Sequence, residues 1–192
     1  MPPAMPSTTR ATVSPAAYAP VQKSLHWLIF LLVVSLYGMT YAEDLFPRGD
    51  PGRATLWFLH ISFGLLLLAL VVARVASRVA LGAPALPRAT SGLERGLAHL
   101  THFLLYALLF AIPIVGVVLT WMRGDALDFF GLFTIPAPFA PDRETARSVK
   151  EVHEVLATLI LFVTAVHAAA ALWHHYVRRD DVLRRMLPGR TR

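Results

Sequence analysis

The 192-residue chain contains no cysteine. That absence excludes a disulfide scaffold, a thiolate zinc site, an iron–sulfur cluster, a covalently attached c-type haem and a cysteine nucleophile. Charge is scarce as well: only 16% of residues are Asp, Glu, Lys or Arg, against about a quarter in a soluble domain. The first twenty residues, MPPAMPSTTRATVSPAAYAP, have no continuous apolar stretch of the kind a secretory signal needs, and read as a flexible tail. What fills the chain instead is apolar: 56% hydrophobic residues and a mean hydropathy of +0.55. That composition belongs to a membrane protein.

Four apolar runs, at residues 24–42, 55–77, 97–121 and 152–177, are each about long enough to cross a bilayer as a helix. Residues 1–22 are expected to be a tail, 23–188 one four-helix domain, and 189–192 a short end. Pro113 interrupts the third run, which neighbouring helices can tolerate. Basic residues set the orientation, because cytoplasmic flanks carry the excess. Arg10 and Lys23 precede the first run. Arg74, Arg78, Arg88 and Arg95 surround the 2–3 connection against Glu94 alone, and the C-terminal tail holds six Arg against two Asp. Arg48 and Arg53, and Arg123, Arg143, Arg147 and Lys150, lie in connections where acids roughly balance them. Both termini are therefore expected in the cytoplasm, in an antiparallel four-helix bundle of the inner membrane. The net charge of +6 is explained by topology, with no nucleic acid required.

Ionisable side chains within a membrane span are costly and point to function. All eight histidines lie in or beside the four runs. With alternating helix direction, His26 falls near the cytoplasmic side and His60 near the outer side. His153 and His167, on the fourth run, are fourteen residues apart, which is about 21 Å along a helix and only about 40° around it. His26 thus matches His167 in depth, and His60 matches His153. Two stacked imidazole pairs suit two bis-histidine haems, of the non-covalent b type because cysteine is absent. Gly38, Gly64 and Ala168–Ala171 would let helices or a flat ring approach closely. A zinc site is the alternative use of histidine, and His99, His102, His174 and His175 could form one at the cytoplasmic surface, although interfacial hydrogen bonding suits them better.

The segments SLHWLIFLL, FPRGD, LHISFG, GLAHLTHF, WMRGD, VKEVHE and VHAAAALWHHY, in that order, closely resemble the bacterial cytochrome b561 family. More narrowly, they resemble its small diheme superoxide:ubiquinone oxidoreductases. The resemblance runs from about Lys23 to Pro188. It implies His26, His60, His153 and His167 as ligands of two haem b groups, paired as depth already suggests. It further implies an oxidoreductase that passes electrons from superoxide at the outer face to ubiquinone in the membrane, releasing oxygen, without a protein partner. Among outward basic residues, Lys150 and Arg123 lie closest to the outer pair and are the candidates to guide the superoxide anion. His174, two turns beyond His167 and flanked by Trp173 and Tyr176, is the candidate quinone contact and proton donor. The rival reading is a haem-b anchor subunit linking quinone to a partner dehydrogenase or hydrogenase. Short outward loops without an evident apolar docking patch weigh against it.

Overall fold

A computed structural model describes residues 17–85, 87 and 90–189. The expected tail, with Arg10, falls mostly outside the described residues, as does Arg88 of the 2–3 connection. Four long helices dominate: α1 (Pro20–Ala42), α2 (Pro51–Leu81), α3 (Gly92–Met122) and α4 (Arg143–Trp173). All four are long and apolar enough to span a membrane.

Each helix begins earlier than its apolar run, α4 by nine residues, and the reason is visible at the caps. Pro20, at the first helical position, comes with its φ preset and draws the end of the expected tail into α1. Asp50 accepts a hydrogen bond from the Gly52 amide ahead of Pro51. Ser91 and Glu94 form a reciprocal capping box. Asp142 accepts from the amides of Glu144 and Thr145. These polar first turns extend the helices beyond the hydrocarbon. At 1.5 Å per residue, the 31-residue helices are about 46 Å long, against a core of about 30 Å. α3 runs unbroken through buried Pro113.

Two apolar clusters pack the bundle. Ile29 and Leu32 of α1 meet Leu67 and Val71 of α2, with Tyr106, Leu109 and Phe110 of α3 against them. Leu108 of α3 meets Ile160 and Val163 of α4. At one end, the start of α1 touches the end of α2, where the Gln22 amide donates to the carbonyls of Ser77 and Gly82. The segment after α4 returns to the same end. A five-residue π-turn (His174–Arg178) closes at Arg179 in the left-handed region. Beyond it, the Trp27 indole donates to the Met186 carbonyl and Arg185 donates to the Ala85 carbonyl. The C-terminal stretch is thus folded back over the bundle.

The connection between α3 and α4, expected to be irregular, contains an antiparallel hairpin of β1 (Leu127–Phe129) and β2 (Phe133–Ile135). Leu127 is 2% exposed. Ser62 of α2, wholly buried, clamps the hairpin: its hydroxyl donates to the Asp128 carbonyl and accepts from the Phe130 amide, each at 3.0 Å. Phe130, held at φ 51, lays its ring on Phe63. The outer rim of the hairpin corrects the expectation of a connection with no apolar patch, since Leu132 is 75% and Phe133 52% exposed.

Replacing Ser62 with Ala leaves a buried amide and carbonyl without partners. The expected loss is about 1–3 kcal/mol, seen as a lower thermal midpoint in detergent and faster hydrogen exchange across residues 127–135.

Candidate functional site

The histidines on the four helices collect into two layers. The rings of His26 (α1) and His167 (α4) face each other with centroids 6.3 Å apart. The rings of His60 (α2) and His153 (α4) do so at 6.5 Å. The fourteen-residue spacing on α4 places one ring in each layer, as the helical period requires. α4 is the shared wall of both layers, and its Asp142 cap fixes where it starts.

In the His60–His153 layer, Nδ1 of each ring is buried and has no hydrogen-bond partner among the described residues. A buried, unpaired imidazole nitrogen is expensive in an apolar surrounding, and a hydrogen bond or a bound metal would remove that cost. Trp57, one turn before His60, packs edge-on against its ring with centroids 5.5 Å apart. The Trp57 indole donates to Glu43, which also pairs with Arg53. A chain of three side chains therefore fixes the surroundings of His60 from the helix ends.

Gly116 of α3 sits opposite His153. A Cβ there would lie 3.2 Å from the ring's Cε1, so any larger residue would press the imidazole by a few tenths of an ångström. A Cβ at Gly38 or Gly64 would meet nothing within 4 Å, so these two do not serve close helix packing in this structure. Composition singles out Gly38 and Gly64; the glycine with the close approach is Gly116, which only the tertiary fold identifies.

The other layer holds a third ring. His102 of α3 packs on His167 with centroids 5.4 Å apart. Sequence places it at the edge of the membrane because the apolar run starts at 97. With α3 starting at Gly92, His102 is ten residues inside the helix. The four-histidine surface zinc site is not formed: His99 is exposed, His102 turns to His167, and His174 turns elsewhere. Among the described residues, no three His, Asp or Glu side chains converge to hold a metal ion.

His174 pairs through Nδ1 with Asp180 at 2.5 Å. Burial pushes the Asp180 carboxyl up, but hydrogen bonds from His174 and the Val182 amide, with the nearby Arg178 charge, hold it below the usual carboxylate range. Lys150 lies on the exposed face of α4, two turns inside the helix, where it pairs with Glu154. The expectation that it belongs to the α3–α4 connection is corrected by the early start of α4. Arg123 caps the C-terminus of α3, and its charge is felt at His153.

The chain is similar to known proteins over nearly its whole length. The sequence model of the family described as prokaryotic cytochrome b561 matches residues 17–189. A Yersinia pestis protein named probable superoxide oxidase CybB is 33% identical over 171 residues, covering 89% of this chain and 96% of that protein. Cytochrome b561 homolog 2 of Escherichia coli K12 is 31% identical, covering 92% of this chain and 94% of its own length. Cytochrome b562 of Cereibacter sphaeroides is 29% identical, with 90% and 96% covered.

The Asp142 cap gives a pH dependence with a definite sign. Hydrogen bonds from the Thr145 hydroxyl, then from the Thr145 and Glu144 amides, outweigh desolvation and hold its carboxyl below the ordinary 3.8. A carboxyl lowered by folding stabilises the folded state above its ordinary value and loses that contribution as pH falls through the lowered one. Carbon NMR of the carboxyl is expected to show Asp142 titrating below 3.8. The first turn of α4 should loosen over the same range in the native protein, as read by exchange at Glu144 and Thr145, but not in Asp142→Asn, whose amide still caps.

Proposed function

The chain belongs to the prokaryotic cytochrome b561 family, and from that premise we propose that it is a two-haem oxidoreductase carrying electrons from superoxide to ubiquinone. Family membership supports membrane electron transfer with b-type haem. The finer reading is carried by one observation: two facing histidine pairs, at 6.3 and 6.5 Å, in separate layers of one bundle. His26 with His167 would hold one haem, and His60 with His153 the other, in an up-and-down helix arrangement of the bacterial inner membrane with both termini in the cytoplasm. The unpaired ring nitrogens, the room at Gly116 and the absence of cysteine fit non-covalent haem b. When bound, haem supplies reversible one-electron chemistry between ferric and ferrous iron.

The protein's own residues position and steer. The overall change is balanced when two superoxide ions give one electron each to one quinone, which takes up two protons, leaving two molecules of oxygen and a quinol. Arg123, beside the His60–His153 layer, is the better candidate to attract the superoxide anion, because Lys150 already spends its charge on Glu154. At the opposite layer, His174 is held by Asp180 through Nδ1, and as an imidazolium paired with that carboxylate it would offer its Nε2 proton to a quinone oxygen. The name of the Yersinia relative supports superoxide as the reductant.

A second reading, the partner-dependent anchor subunit, draws on the exposed Leu132, Phe133 and Phe139 beside the hairpin, an apolar surface at the His60–His153 end. The two readings separate in one optical experiment. Purified protein is expected to show a b-type reduced-minus-oxidised spectrum, rapid reduction by superoxide, and reoxidation by a short-chain ubiquinone. Reduction by dithionite alone would support the anchor reading, and no haem absorbance would overturn both.

His60→Ala and His153→Ala are each expected to remove one haem of two by pyridine haemochrome quantitation while keeping the His26–His167 haem. Gly116→Leu should act in the same way, because it drives a side chain into the His153 ring. Equal loss of both haems in all three variants would show that the layers are not independent.

A further inference from the structure

The end of the bundle that carries His26 and His167 has an unbalanced charge. Its acids are all engaged: Glu94 with Arg178 at 3.5 Å, Asp180 with His174, and Asp181 with Arg185 at 2.8 Å. Arg74 and Arg78 of α2 are left without a carboxylate partner among the described residues. They stand one helical turn apart, a spacing at which like charges destabilise a helix. Among the described residues Arg74 donates once, to the Gln22 carbonyl at 2.9 Å, which leaves most of its five N–H groups available there.

Both arginines line one shallow, solvent-open pocket together with Tyr18, Gln22, Ser77 and Tyr106. The pocket borders the histidine layer: of its lining residues, Gln22 stands one helical turn before His26 on α1 and Tyr106 one turn after His102 on α3. Neighbouring guanidinium groups beside hydroxyl and phenol groups match an oxyanion, bound through charge-assisted hydrogen bonds. An anion between them would also remove their mutual repulsion.

We propose that Arg74 and Arg78 form an oxyanion site that takes a propionate carboxylate of the haem held by His26 and His167. The inference rests on the reading of His26 and His167 as haem ligands. A phospholipid phosphate offers the same oxyanion chemistry at a membrane surface. Proximity to the two rings favours the haem's own carboxylate, because one bound group would then meet both its histidine ligands and its counter-charge.

The test is a potentiometric titration of the purified holoprotein with Arg78→Gln, Arg74→Gln and Arg78→Lys, alongside phospholipid detection by native mass spectrometry. Losing a cation beside the haem disfavours the reduced form. Arg78→Gln and Arg74→Gln should therefore shift the oxidised-to-reduced ratio of one haem about tenfold, or 59 mV for one electron, leaving the other unchanged. Arg78→Lys should restore most of the shift. Because the Arg78 side chain makes no hydrogen bond to another helix among the described residues, its variants decide the matter if Arg74→Gln fails to fold. Unchanged potentials of both haems in Arg78→Gln would overturn the proposal, and phospholipid lost from that variant at the same time would assign the site to a lipid phosphate. A native protein without two b-type components would instead refute the haem-ligand reading on which the site depends.

Discussion

An imidazole inside hydrocarbon must find a partner, and this constraint organises the bundle. Polar groups are expensive in lipid, and a ring nitrogen without a hydrogen bond is among the costs. The chain meets the cost by gathering rings: α4 supplies His153 to one layer and His167 to the other, while α2 and α1 supply the opposing rings. Moving α4 by a single residue would rotate both of its rings by about 100° and end both facings together. The polar cap at Asp142, outside the membrane core, is therefore part of the same design, because it fixes where the α4 register begins.

Much of this was legible in the sequence. Hydropathy located four spans, and helical periodicity with charge asymmetry matched His26 to His167 and His60 to His153 in depth. These are one-dimensional properties, set by bilayer thickness and by 3.6 residues per turn. The helix ends were read short because hydropathy measures the hydrocarbon rather than the helix. Asp50–Pro51 and Ser91–Glu94 carry cap signatures in plain sequence, yet they lie outside the apolar runs. That error also left His102 too near the surface and Lys150 in a loop. The Ser62 clamp, the packing of Trp57 on His60 and the clearance at Gly116 were not legible, because each joins residues on different helices or on successive turns whose rings could have pointed elsewhere.

The two ends of the bundle differ in how they handle charge. At the His60–His153 end, Glu43 joins Arg53 and Trp57, and Lys150 pairs with Glu154, so cations there are largely matched locally. At the other end the acids are spent on the folded-back C-terminal segment and on the π-turn, through Glu94–Arg178, Asp180–His174 and Asp181–Arg185. This arrangement organises the surroundings of His174 and leaves Arg74 and Arg78 without carboxylates among the described residues. Charge asymmetry along a membrane protein is commonly read as topology alone. Here the half-buried portion of it, Arg74 and Arg78, lies near a histidine layer, where a fixed positive potential bears on whatever chemistry that layer performs.

The cross-links between helices follow from the solvent. In lipid, apolar side chains gain little from leaving the hydrocarbon tails, so apolar packing alone specifies helix partners weakly. One buried cluster joins α1 to α2 and the other joins α3 to α4, and neither joins α1 to α4. The face between α1 and α4 is crossed by His26 and His167 instead, and that between α2 and α4 by His60 and His153. A group bound by both rings of a pair would serve as chemistry and as mortar, tying two helices that apolar packing does not. The same residues would then decide whether the bundle closes and what it does once closed, which is reason enough for a chain this poor in charge to carry paired imidazoles into the membrane.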